Sequence, residues 1–140
     1  MQFYLYLFYV EKIISLSDGN YAVASTSSLD IIDENGNIIN SIQWGTIKDI
    51  IQTSSGEFVV AGYIVHGVYE YFSAKKYDSS LNEVWSKTNW IPSQNNLSDM
   101  YFESVVELDN GNLVFSGRAA GEGGYDIFIY STDSSGNRIF

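Results

Sequence analysis

Asp49-Ile50-Ile51-Gln52-Thr53-Ser54-Ser55-Gly56-Glu57-Phe58-Val59-Val60-Ala61-Gly62-Tyr63 sets a Gly-centred turn between two branched, apolar runs. Glycine takes positive φ without steric cost, so a turn of this kind between β-rich segments signals a hairpin. The pattern occurs twice more. Ile13-Ile14-Ser15-Leu16-Ser17-Asp18-Gly19-Asn20-Tyr21-Ala22-Val23-Ala24-Ser25 precedes it, and Val105-Val106-Glu107-Leu108-Asp109-Asn110-Gly111-Asn112-Leu113-Val114-Phe115-Ser116-Gly117 follows it. Self-similarity of this kind marks a repeat architecture.

Each unit carries a second anchor: Asp33-Glu34-Asn35-Gly36-Asn37, Asp78-Ser79-Ser80-Leu81-Asn82 and Asp133-Ser134-Ser135-Gly136-Asn137. Gly56 and Leu81 stand 25 positions apart, as do Gly111 and Gly136, whereas Gly19 and Gly36 stand 17 apart. The first unit has therefore lost eight residues between its second and third strands, which predicts a short hairpin loop there. Each unit reads as strands a, b, c and d. The boundaries are about 11–16, 20–25, 29–33 and 38–43 in the first unit. They are about 48–53, 57–64, 71–77 and 83–89 in the second, and about 103–108, 112–118 and 126–132 in the third, where strand d has barely begun at Arg138-Ile139-Phe140. No segment sustains a 3.6-residue period, so almost no helix is expected. Pro92 falls in the long connection at 91–100, where it interrupts no ladder.

The run Phe3-Tyr4-Leu5-Tyr6-Leu7-Phe8-Tyr9-Val10 is too short to cross a membrane and lacks the preceding basic residues and following small residues of a secretory signal. It reads as a buried strand at about 3–8 and supplies the strand d that the third unit lacks. Counted from the end round to the start, 23 positions separate Gly136 from Gly19. The same interval inside the chain is 20 (Gly36 to Gly56) and 30 (Leu81 to Gly111).

The stretch 49–63, with Ser73-Ala74-Lys75-Lys76-Tyr77-Asp78 and Glu83-Val84-Trp85-Ser86-Lys87-Thr88, resembles the β-propeller repeats of secreted and surface-associated microbial proteins. In those each blade reads approximately "siiqtsDGgyivaGyt … ylvklDsnGnvlWsktyg". The match is best over about 48–90 and extends over 103–140. The first unit (about 11–43) matches at its turns but has Asn40 where Trp85 stands. The resemblance implies an all-β fold of three four-stranded blades and an extracellular or cell-surface setting; it carries no catalytic residues. Three blades do not close a ring of four to eight. The expected remedy is a second copy, giving a six-bladed ring or a filament in which each N-terminal strand closes the third blade of its partner. A β-trefoil, also three units of four strands, is the competing architecture.

Composition bounds the chemistry. The chain has 140 residues, 45% of them hydrophobic and 16% aromatic, a net charge of −10 and no cysteine. Disulfides, thiolate catalysis and cysteine-ligated zinc are excluded. An acidic balance opposes a sequence-independent grip on nucleic acid, which needs a basic footprint. No cofactor motif is present: the glycines of Gly121-Glu122-Gly123-Gly124-Tyr125-Asp126 read as a b–c hairpin loop, and a lone histidine excludes paired-histidine metal sites. Asp33-Glu34-Asn35-Gly36-Asn37 has some calcium-loop spacing but lacks the glutamate that would close it, with Trp44 in that place, and reads as a hairpin turn. His66 is placed in the loop Val65–Val68. The candidate ligand-binding residues are aromatic and acidic: Trp44, Trp90 and Tyr101 beside the d–a connections, Tyr69 beside a b–c loop with Tyr63 and Tyr71, and Glu103 and Asp49 near the starts of the innermost strands. Rings stack on sugar faces or grip peptides while carboxylates orient hydroxyls. A non-enzymatic module for a glycan or protein is therefore the first expectation, an assembly subunit the second and a hydrolase the last. Trp85, inside strand d, is expected to pack between blades.

Overall fold

In the computed structural model, residues 9–88, 100–121 and 123–140 are described. The expected N-terminal strand at 3–8, Trp90 and Pro92 lie outside the described residues. Eleven strands form: β1 (Val10–Ser15), β2 (Tyr21–Ser25), β3 (Ser28–Ile32), β4 (Ile38–Gln43), β5 (Thr46–Gln52), β6 (Phe58–His66), β7 (Tyr69–Tyr77), β8 (Glu83–Thr88), β9 (Met100–Glu107), β10 (Leu113–Gly121) and β11 (Gly124–Thr132). They make three antiparallel meanders, β1-β2-β3-β4, β5-β6-β7-β8 and β9-β10-β11, with no helix among the described residues. A trefoil needs a barrel closed by strands of all three units; the described strands close none.

The turns explain the meanders. At all six anchors the first residue's N–H bonds the carbonyl four positions on, and the N–H three positions on bonds back, as in Thr53 N to Glu57 O and Gly56 N to Thr53 O. The fourth residue sits at positive φ, between 80° and 87° where it is glycine. This is a type I turn with a left-handed bulge residue, which fixes a three-residue hairpin and its register. At one anchor the position holds Leu81, with φ 63°.

The expectation of a shortened first b–c loop needs correction. The first two b–c hairpins both turn through two residues; in the first sheet β2 and β3 have five residues each, where β6, β7, β10 and β11 have nine. The missing eight residues came out of the strands. The second and third hairpins therefore extend beyond the first, and His66 is the last residue of β6, paired with Tyr69, not a loop residue.

The second sheet is buried on both faces. Phe58 and Val60 pack with Leu16, Ala22, Ala24, Leu29 and Ile31 of the first sheet, while Val59 and Ala61 pack with Phe102, Val105, Leu113, Phe115 and Tyr130 of the third. Successive strand residues point to opposite faces, so an uninterrupted apolar run is what a doubly covered strand requires. Each sheet's first strand carries a bulge, at Glu11, Lys48 and Glu103 respectively. Opposite the latter two stand Gly62 and Gly117. A Cβ at Gly62 would lie 1.9 Å from the Thr46 carbonyl oxygen, and one at Gly117 would lie 2.4 Å from that of Tyr101. The glycine of the Ala-Gly-Tyr signature thus makes room for a bulged neighbour.

Candidate functional site

The first strands of the three sheets meet at Asp49. Its carboxylate accepts the Val105 N–H at 2.9 Å and the Ser104 hydroxyl at 3.2 Å, both from the third sheet, and pairs with Lys12 of the first. Asp49 is buried, and these contacts together with the Ile50 N–H occupy its oxygens. It ties the sheets together. Trp44 is half-buried against the first core, its backbone N–H bonded to Ser27 O and its indole Nε1 buried with no hydrogen-bond partner among the described residues. Trp85 lies in the second core and donates Nε1–H to the Ser134 carbonyl at 3.2 Å.

The remaining candidates gather on the two long hairpins. Tyr101, buried in β9, packs against Tyr63 of β6 with ring centroids 5.4 Å apart. Arg118 of β10 lies over the Tyr101 ring at 4.7 Å and over the Tyr125 ring at 4.9 Å. Its Nε stands 2.9 Å from Glu103 Oε1, an ion pair without the alignment of a hydrogen bond. A guanidinium held against two aromatic faces is restricted in its orientation. Burial raises the Tyr101 phenol above its ordinary pKa; Arg118 opposes that rise, while Tyr125, Glu103 and Glu70 add to it. The effect of Glu70 brings β7 into the same electrostatic neighbourhood. At the tip of that hairpin the Tyr69 and Tyr71 rings meet edge to face at 6.4 Å, with Tyr69 exposed.

Glu103, Ser116, Gly117, Arg118 and Ile127 line an open depression of about 490 Å³ on the third sheet. The structure thus unites Tyr101 and Glu103 through Arg118, places Tyr69 on the neighbouring hairpin, engages Asp49 in contacts between the sheets and sets Trp44 against the first core. Arg118 and Tyr125 are the members that the sequence reading missed. The available signal was an isolated cation in a strand of small residues, Gly117-Arg118-Ala119-Ala120. Among the described residues no group of three histidine, cysteine or carboxylate side chains is placed to hold a metal.

No protein-family model matches the chain, and no curated protein matches its sequence. Two solved structures resemble it in fold. A protein of unknown function from Bacteroides caccae superposes with a TM-score of 0.61 at 20% identity, over 91% of this chain and 47% of that one. A hypothetical protein from Leishmania major superposes with a TM-score of 0.59 at 16% identity, over 92% and 54%. The chain spans about half the length of each of these structures, and what it shares with them is an all-β fold of repeated antiparallel sheets.

Proposed function

We propose that the three sheets are consecutive blades of a β-propeller, half of a six-bladed ring, and that the protein is a non-enzymatic binding module for a glycan or protein ligand. The blade pattern of 49–88, the meander of each sheet and neighbours of about twice the length support the architecture. One observation carries the function: Arg118 clamped between Tyr101 and Tyr125, beside Glu103 and an open depression. Aromatic faces cover the apolar face of a sugar or side chain, and a pre-oriented guanidinium and carboxylate select its hydroxyl or amide groups. Tyr69 and Tyr71 extend that surface along the neighbouring hairpin.

Glycan and peptide arrays probed with the 140-residue chain test this. The expected result is a ligand whose affinity falls about tenfold or more in Arg118→Ala, at a partly exposed side chain, and in Tyr69→Ala, at an exposed one. Blank arrays, or a ligand held equally well by both variants, would overturn it. The assembly reading is favoured by a separate observation, the apolar outer faces of the first and third sheets. No observation favours the hydrolase.

A further inference from the structure

The two internal junctions between sheets are built alike. In each, a backbone N–H of the a–b turn bonds a side chain at the end of the next sheet's first strand: Ser17 N to Gln52 Oε1 at 3.0 Å, and Ser54 N to Glu107 Oε2 at 2.8 Å. In each, a strand d side chain donates to a carbonyl in the next sheet's c–d turn: Asn40 to Ser80 O at 3.0 Å, and Trp85 to Ser134 O at 3.2 Å. Bulk is also complementary there. Where strand d offers the short Asn40, the facing turn fills the space with buried Leu81; where it offers Trp85, the turn has Gly136, whose Cβ would lie 2.9 Å from the indole.

The outer faces carry both halves of a third such junction. Equivalent positions buried inside are bare outside. Leu29 and Ala74 are 0% and 1% exposed, while Ile129 of the third sheet is 52% exposed; Ile50 and Val105 are 0% and 2% exposed, while Ile13 of the first is 59% exposed. Val106 and Ile127 extend the first of these patches, and Val10 and Tyr21 the second; Val23, on the same face as Ile13, is buried already. Phe140, paired to Ser131 as Trp85 is to Lys76, occupies the strand d position, and the corresponding turn of the first sheet has Gly36, again a large ring matched to no side chain. Exposed Tyr9 is the counterpart of Tyr101, the residue that meets the preceding sheet's Tyr63; Arg118 stands where Tyr63 does.

We propose that a second copy of this chain docks its first sheet on the open face of the third, twice about a twofold axis, so that the depression at Glu103 and Arg118 is completed by Tyr9 of that copy. The inference rests on the blade reading above. Phe140 then lies over Gly36, Ile129 and Val106 over Ile13 and Tyr21, and the Asp109 N–H reaches the Ser15 hydroxyl. A surface this apolar at matched positions marks an interaction site, and a self-complementary pair of faces closes under twofold symmetry. Each copy carries −10, so pairing strengthens with added salt.

Light scattering and sedimentation of the 140-residue chain give the test. The expected mass is twice 15.7 kDa, independent of concentration once paired. Ile129→Glu and Phe140→Asn, both on exposed side chains, each weaken the pair about tenfold or more, while circular dichroism remains that of the parent. Phe140→Asn with Gly36→Leu, which copies the Asn40 and Leu81 arrangement, restores it. Oxidation of a mixture of Ser15→Cys and Asp109→Cys chains links one to the other, and two Ser15→Cys chains remain unlinked. A mass of 15.7 kDa at all micromolar concentrations, a mass that grows without limit, or a pair indifferent to Ile129→Glu and Phe140→Asn would each overturn the proposal. A monomer that still binds an array ligand through Arg118 refutes the pairing and leaves the binding reading standing. A closed pair with blank arrays does the reverse.

Discussion

The first and second junctions answer one geometric demand with different chemistry. Between the first two sheets the filling is mainly aliphatic, Leu16, Leu29, Ile31, Ile47 and Ile50, joined by Phe58 and Tyr77 and with Trp44 at its margin. Between the second and third it is a ring cluster: Phe102 lies 4.8 Å from Phe72, 4.9 Å from Phe115, 5.6 Å from Phe128 and 5.9 Å from Tyr130. The second junction also holds Lys76, buried, with its ammonium 2.9 Å from Glu57 and 3.1 Å from the Ser134 carbonyl, at a position that is Ile31 in the first sheet. Burial works against ionising Glu57, yet the bonds from Lys76 and Ser55 and the charge of Lys76 together outweigh it and hold its carboxyl below the usual range. The polar frame of turn and strand d contacts is common to both junctions, so it sets the spacing and leaves the filling free to vary.

Removing the centre of the ring cluster should have the largest effect. Phe102→Ala is expected to cost about 3–5 kcal/mol and Leu29→Ala about 2–4 kcal/mol, measured by urea unfolding, because more contacts converge on Phe102 and the surrounding rings cannot collapse into the gap. Equal losses at the two sites would mean that the junctions differ only in composition.

Exchanging the fillings should have a smaller, more discriminating effect. Trp85→Asn is expected to cost about 3 kcal/mol, and Gly136→Leu alone destabilises because its Cβ meets the indole. The double substitution rebuilds the first junction's pair in the second and should show favourable coupling of about 1–3 kcal/mol. Strict additivity would break the correspondence. Leu81 indicates why coupling is expected: a left-handed leucine costs about 1–2 kcal/mol, and burial of its side chain returns about 1.5–3 kcal/mol.

The feature that does not differ between units should give the smallest effect. Asp33, Asp78 and Asp133 each accept the side-chain amide of an asparagine four positions on, Asn37, Asn82 and Asn137, together with two backbone N–H groups. These bonds hold all three carboxyls below the ordinary aspartate range. A depressed folded-state pKa adds stability that is present above the unfolded value and is lost as pH falls through the folded one. Thermal melts should therefore weaken in the acid range, and the chain with Asn at all three positions should respond less to acid. A single replacement that flattens the whole profile would show that the three turns are not equivalent.

The turns were legible because they are local. Glycine at the left-handed position and an aspartate that caps its own turn leave the same mark wherever they occur, and from them the three units and eleven of the expected strands follow. The bulges and the hairpin lengths were not legible, since Glu11, Lys48 and Glu103 look like ordinary strand residues until the partner strand is in register. Asp49 read as a site residue because acidity near a strand start suggests a ligand; three sheets converging on it is a fact of packing. Leu81 read as one more turn residue, and its role depends on Asn40, 41 positions earlier and in another sheet. Arg118 acquires its meaning from Tyr101 and Tyr125, which reach it across the sheet.

The first hairpin is shorter than its counterparts by four residues in each strand, and that number has a consequence for how such a chain can change. Side chains alternate across a sheet, so removing an even number from each strand leaves the residues beyond the cut on the faces they occupied, whereas an odd number turns those residues to the opposite face. Parity makes hairpin height an independent variable. A hairpin can gain or lose length in paired steps, raising or lowering the surface it presents, while the buried junctions beneath receive the same residues in the same places.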